Sequence, residues 1–407
     1  MRAVPLVFGG LLMVVLGCNK QSAEPIARFS EPPRPIATSG SSNAFREYCR
    51  IGIAASKIDP SMLYRGIYTP QMKKQILKDL ANDLVELRAC QKSPCTFEFT
   101  ALGPFSSRPE HAGWQMLGKC LQWQIEFALK ADDTTKATTA LLTGTRLGWD
   151  LTAGGASDAS VGYAILNQCR KAFAPSLNKL SAVSLQSLSQ NLQGILSRAP
   201  KISDCLENER LNMMLAVDTV IDMRAEALDN EKKWEAFPKQ LGPIGNDVTR
   251  ALKLVKPEAA AAWFRDWAKE ANEETELVES SAAKPASERG DWPKPTMAGR
   301  PWGMLSRVFF RSSRSVLAMH DEALARTRLM VVLAHCLSAV KSKQAAPIGI
   351  QGLAEPHRID PYSGKPFVYQ AAGTDFKLYS VGANLRDDGG QTDESFSAPD
   401  MLVEFEN

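Results

Sequence analysis

Residues 114–151 read WQMLGKCLQWQIEFALKADDTTKATTALLTGTRLGWDL. Trp114, Leu117, Leu121, Ile125 and Ala128 recur three or four positions apart, so a single helical face carries them all. Asp132-Asp133-Thr134 then makes a turn, and Leu141, Leu142, Leu147 and Leu151 mark a second stripe. Two amphipathic helices joined by so short a turn lie antiparallel. This hairpin sets the terms for the rest of the chain.

Upstream, Met72, Ile76, Leu77, Leu80, Leu84 and Leu87 keep the same period, with Pro70 suited to a first helical turn. Downstream, Gly154-Gly155-Ala156-Ser157-Asp158 interrupts the pattern before Val161, Ile165 and Leu166 resume it. Ser181 and Ser184 precede a helix carrying Leu185, Leu188, Leu192 and Ile195, which Pro200 follows. Asp204 reads as the N-cap of a helix running to about Glu226, and two more cover Pro243 to Val255 and Pro257 to Val278. A long helix is expected from about Met304 to Lys343, buried over its apolar stretch Leu329 to Val340. No strict repeat period is present, which argues against a consensus tetratricopeptide array. The expected fold is mainly α, an irregular helical-hairpin array or bundle (α-solenoid-like).

Beyond Pro347 the composition turns to β type. Phe367-Val368-Tyr369 and Phe376 to Val381 flank the turn Ala372-Gly373-Thr374-Asp375, giving a small C-terminal β-hairpin, and Leu402 to Phe405 could add a strand. The domain plan is therefore 44–279 helical, 280–301 a proline-rich loop, 302–344 a long helix packed on the helical domain, and 345–407 a small β tail.

At the N-terminus, Arg2 precedes an apolar run from Val4 to Val15, too short for a bilayer span. Val15-Leu16-Gly17-Cys18 follows. This resembles the lipobox of bacterial lipoproteins, with Leu16 less usual than Ala or Ser. The resemblance implies a signal peptide over 1–17 and a lipid on Cys18. Asn19 to Asn43, rich in Ser, Pro and Ala, reads as a tether over 18–43. As a flexible coil it would hold the body about 25–30 Å from the lipid. Asn19, rather than Asp, favours the outer membrane over the inner.

With 407 residues, 44% hydrophobic and 23% charged, the chain can bury a real core. A formal net charge of +3 with no dense basic block argues against nucleic acid as a partner. Apart from Cys18 there are Cys49, Cys90, Cys95, Cys120, Cys169, Cys205 and Cys336, an odd number. Cys90 and Cys95 flank a turn-like Gln91-Lys92-Ser93-Pro94 and make the most plausible local disulfide. Cys120, Cys169, Cys205 and Cys336 read as buried thiols. Zinc is disfavoured, for there is no C-x-x-C pair and His111, His320, His335 and His357 show no paired spacing.

The tail holds the most distinctive motif, Asp360-Pro361-Tyr362-Ser363-Gly364-Lys365-Pro366-Phe367-Val368-Tyr369, followed by Leu378 to Gly382 and Asp387-Asp388-Gly389-Gly390. Over residues 325–395 it resembles the C-terminal region of the type II secretion major pseudopilin, although the N-terminal pilin helix is absent. More loosely, the whole chain resembles uncharacterised bacterial helical proteins with the same tail. The pseudopilin resemblance implies a hairpin and an acidic loop in which Asp387, Asp388 and Asp393 could hold calcium. Their spacing matches neither that family closely nor an EF-hand.

Asp218, Asp222 and Glu226 recur every four residues on one helical face, a charge stripe that reads as a wet surface. Ser176 with Lys179 fits S-x-x-K, and Ser189 with Asn191 fits S-x-N, but the accompanying K-T-G is missing. His335, on an apolar helix, reads as a hydrogen-bonded core residue. The expected function is a lipid-anchored envelope protein with a non-enzymatic scaffold or protein-interaction role and no required cofactor. The alternatives are an envelope enzyme with an acidic helical cleft, or an accessory of a secretion machine.

Overall fold

The computed structural model describes residues 43–58, 68–97, 108–235, 245–256, 259–290, 303–391 and 401. Cys18, the 1–17 signal, nearly all of the tether, residues 291–301 of the proline-rich loop, Asp393 and the strand expected at Leu402 to Phe405 lie outside them. Among the described residues the molecule is mainly helical, with eleven helices and a two-stranded antiparallel sheet.

Helices α1 (Ala44–Ala55), α2 (Pro70–Asp79) and α3 (Ala81–Cys90) come first. The single helix expected from Pro70 is thus divided at Leu80. Hydrogen bonds continue across the break, from Leu80 N–H to Ile76 O and from Leu84 N–H to Leu80 O, so Ile76, Leu80, Leu84 and Leu87 all stay buried. The central hairpin is α4 (Pro109–Lys130) and α5 (Thr134–Leu151). Asp133 closes its turn, accepting from Lys136 N–H at 2.9 Å. A short 3-10 turn, Thr152–Gly154, leads to α6 (Ala156–Phe173). Ser181 caps α7 (Ala182–Leu196) by accepting from Ser184 N–H at 3.1 Å.

In the centre α4 packs on α1, α5 and α6. A solenoid repeat touches only its sequence neighbours, so this arrangement is a bundle. Glycine pairs set its spacing. A Cβ on Gly113 of α4 would lie 1.7 Å from Gly52 O of α1, and one on Gly162 of α6 would lie 2.4 Å from Gly148 O of α5. Beside the first pair, Trp114 is fully buried and donates from Nε1 to Tyr48 O at 2.7 Å. A buried indole removes roughly 150–250 Å² from water.

Helix α8 (Ile202–Asp229) starts three residues earlier than Asp204 suggested. Asp204 sits inside the first turn and reaches back to accept from Lys201 N–H at 3.0 Å. With α9 (Gly245–Leu254) and α10 (Ala260–Ala282) it encloses a second apolar cluster around Trp263, Phe264 and Trp267. Helix α11 (Gly303–Lys343) joins the two regions, packing on α10 and, further along, on α6 and α7. Hydroxyl bonds stitch it to α7, with Ser189 Oγ donating to Val331 O at 3.0 Å and Ser338 Oγ to Ala182 O at 2.8 Å. Its segment Ser313–Lys343 is long and apolar enough to cross a membrane. Here Leu329 to Ala334 are buried within the bundle, the behaviour of a core helix.

The tail forms β1 (Val368–Ala372) and β2 (Asp375–Tyr379), in register from Val368 opposite Tyr379 to Ala372 opposite Asp375. Gly373, at φ 66°, occupies the first position of the two-residue loop. The distinctive motif organises this module through one buried carboxylate. Asp360 Oδ1 accepts from Tyr362 N–H at 3.0 Å and Ser380 Oγ at 2.9 Å, and Oδ2 accepts from Val381 N–H at 3.1 Å. The module is clamped to the body. Ala286 N–H donates to Pro361 O, Ser287 N–H to Tyr362 O, and Arg328 Nη1 to Ile359 O. Arg289 in turn pairs with the buried Asp321 of α11.

Candidate functional site

Cys90 and Cys95 are unbridged thiols. Cys90, the last residue of α3, donates from Sγ to Leu87 O at 3.1 Å, whereas Cys95 faces Asp150 O at 4.0 Å, so each sulfur is directed at a backbone carbonyl. Cys120, Cys169, Cys205 and Cys336 are buried, and burial pushes the Cys120, Cys169 and Cys336 thiols up to about 12. They behave as small hydrophobes.

In the acidic loop, Asp387 Oδ1 accepts from Tyr379 OH at 2.7 Å and Gly389 N–H at 3.0 Å, and Asp388 Oδ2 accepts from Asn384 Nδ2 at 2.7 Å. The Lys377 ammonium bonds Gly389 O in the same loop. Among the described residues no group of three or more His, Cys, Asp or Glu is placed to hold a metal. On α8, Asp218 is buried while Asp222 and Glu226 are exposed, so the stripe crosses the edge of the buried face. Ser176 donates to Phe173 O, one turn back, and Ser189 to α11, which accounts for both serine motifs structurally. His335 is half-buried beside Gly352.

Two histidine arrangements arise that the sequence did not announce. His111 Nε2 meets the fully buried Asp158 Oδ1 at 2.5 Å, and Arg108 Nη2 reaches both oxygens of the same carboxylate at 3.1 and 3.2 Å. This ties the start of α4 to the start of α6. An aspartate that orients an imidazole is half of a nucleophile-activating set. Among the described residues no serine, threonine or cysteine side chain bonds His111 to complete it.

The second arrangement lies at a cleft. Helices α5, α6, α7 and α11 leave between them a cavity of about 240 Å³. From α6 come Ser160, Tyr163, Asn167 and Arg170, and from α11 Met319, Glu322, Arg326 and Met330. Each set recurs at three- or four-residue spacing and so faces the cleft as a stripe. Leu141 of α5 and Leu192 of α7 supply the apolar floor. On one wall Tyr163 OH meets His320 Nδ1 at 3.1 Å, and Trp149 stacks edge-on to that imidazole at 5.6 Å. Burial holds the tyrosine well above its ordinary range. Burial, with Arg328 and Arg289 nearby, holds His320 well below the usual imidazole range. The wall is therefore uncharged at neutral pH.

The charge in the cleft belongs to three groups. Arg326 Nε donates to Glu322 Oε1 at 2.8 Å, and Arg170 Nη2 donates to Asn167 Oδ1 at 2.9 Å. Apolar walls with a few convergent polar groups are the ordinary makeup of a ligand site. The α6 stripe was readable as polar positions on an otherwise buried helix, but only the approach of α11 turns it into a site. Comparison with protein-family models, with curated proteins and with solved structures finds no match for this chain.

Proposed function

We propose that this is a lipid-anchored cell-envelope protein whose role is interaction rather than catalysis, with the cleft between α5, α6, α7 and α11 as the surface that receives its partner. The cleft carries the reading, because it combines apolar walls, a neutral Tyr163 hydrogen-bonded to His320 behind it, and the Arg326–Glu322 pair around one half-open volume. Cys18 supplies the anchor, and tethering raises the effective concentration of the body near other envelope components.

A photo-reactive residue at Ala323, which lines the cleft, would be compared in cells with one at Val183, which is exposed on α7. The expected result is a discrete crosslinked partner from position 323 and none from 183. The cleft-filling Ala323→Phe should abolish copurification of that partner while helicity is kept. Equal crosslinking from both positions, or a partner retained by Ala323→Phe, would remove the cleft from this role. Release of the protein from the membrane fraction by Cys18→Ala tests the anchor separately.

A further inference from the structure

We infer that the cleft takes one large apolar side chain from an extended segment of a partner protein, and that Glu322 and Arg326 hold the peptide group beside that side chain. This rests on the cleft being the surface that receives the partner. Size sets the first limit. A volume of about 240 Å³ holds about eight waters at ~30 Å³ each. That is room for one large side chain with its peptide group, and not for a helix. Leu141, Leu192 and Met330 give the side chain an apolar bed, and methionine adapts its shape to what it covers. The hydroxyls of the lining are already engaged. Ser160, Thr145 and Thr327 donate one turn back along their own helices, to Ala156 O, Leu141 O and Ala323 O at 2.7, 2.8 and 2.7 Å.

Hydrogen bonding sets the second limit. Glu322 and Arg326 lie one turn apart on α11, joined by the bond from Arg326 Nε to Glu322 Oε1. Among the described residues neither side chain makes another hydrogen bond. The guanidinium uses one of its five donors there, and the carboxylate one of its two oxygens. An apolar body entering the cleft strips water from what remains, which is unfavourable unless the ligand brings both an acceptor and a donor. A lone carboxylate would satisfy Arg326 and sit against Glu322, and a lone ammonium would do the opposite. Because the pair is already matched, a charged headgroup would lose its own hydration without meeting an uncompensated partner. A peptide group brings an acceptor and a donor and no charge. In an extended segment the C=O and N–H of one residue point to the same edge while its side chain stands perpendicular. Such a residue donates to Glu322, accepts from Arg326 and lays its side chain on Leu141 and Leu192.

The test is a ligand-observed NMR titration of the whole chain at neutral pH. Its probes are a blocked alanine–leucine–alanine tripeptide, the same peptide with alanine for leucine, the depsipeptide in which an ester oxygen replaces the leucine N–H, and free leucine. The leucine peptide should bind about tenfold more tightly than the alanine peptide, a difference of ~1.4 kcal/mol. The depsipeptide should bind about tenfold more weakly than the leucine peptide in the unaltered protein and equally in Glu322→Ala, since only Glu322 uses that donor. Arg326→Ala should weaken both by a similar factor. Glu322 and Arg326 are part-exposed, so their replacement leaves the core intact. Equal binding of peptide and depsipeptide, or a preference that survives Glu322→Ala, overturns the assignment. So does binding that survives Ala323→Phe, and so does free leucine bound where the blocked peptide is not, because the cleft would then take a zwitterion. A partner crosslinked from position 323 with no peptide bound would sink this inference and leave the cleft as the partner surface. Peptide bound with nothing crosslinked would keep the chemistry and remove the cellular role.

Discussion

The α1/α4/α5/α6 bundle and the C-terminal tail are held by opposite means. In the bundle, backbones approach so closely that glycine is needed on each side, and the surrounding side chains are buried indoles and leucines. In the tail, a two-stranded hairpin too small to be stable alone is organised by the Asp360 carboxylate and tied to the body by backbone hydrogen bonds. Close packing spreads its energy over many weak contacts and tolerates no added atom at a backbone crossing. A polar clamp concentrates its energy in a few bonds and can be released locally. Removing one atom group should open the tail, and adding one should break the bundle.

The largest effect should come from Gly113→Ala. The new methyl meets the Gly52 carbonyl, and separating α1 from α4 should cost about 3 kcal/mol or more, read as a lower denaturant midpoint for the whole helical signal. A wild-type midpoint would mean the crossing has slack that the structure does not show. Asp360→Ala comes next. It strands two backbone donors and the Ser380 hydroxyl, a loss of about 2 kcal/mol confined to the tail. Hydrogen exchange at Tyr362 and Val381 should accelerate while α4 to α6 keep their protection. Acceleration throughout the bundle would show that the two regions unfold together.

Acid tests the junction between them, because His320 sits on α11 among Arg289 and Arg328, which also hold the tail and the 285–289 turn. Its folded-state pKa is depressed, so below roughly pH 6.5 the unfolded chain takes up a proton that the folded chain refuses. Stability is complete above that pH and falls as the pH drops, by at most about 1.4 kcal/mol per unit for one such group. His320→Gln should lose that part of the slope in parallel urea titrations at pH 7 and pH 5. An unchanged slope would place the acid sensitivity elsewhere. Gly373→Ala should be smallest, about 1 kcal/mol. Nothing lies within 4 Å of the added carbon, so only the positive φ is strained, and Gly373→Asn should recover most of the loss. A Gly373 effect as large as that of Gly113 would erase the distinction between a crowded glycine and a turn glycine.

Much of the fold was legible because each element declares its own burial. The stripes from Trp114 to Leu151 predicted a helix, a turn and a helix where α4 and α5 stand, Ser181 precedes α7 as expected although Ser184 lies within it, and the tail hairpin turned at Gly373. The misreadings were local contests between near-equal signals. Periodicity continued through Leu80 although the helix does not, and Asp204 resembled a cap while serving one turn in. The Cys90 and Cys95 pairing was argued from spacing, and spacing does not orient a side chain. Of the candidate site, the stripes on α6 and α11 were each present in the chain before folding, but not their approach to one another.

The sequence by itself determined the helical class and the hairpin tail, because apolar periodicity and turn chemistry act over a few residues. The tertiary structure alone decided that Gly52 faces Gly113, that Asp360 holds Ser380, that His111 finds Asp158, and that α6 and α11 bring Arg170, Glu322 and Arg326 to one cleft. The physical reason is that an apolar stripe requires burial but does not name its partner. Many helices could cover the same face, and the choice rests on close packing summed over the whole bundle.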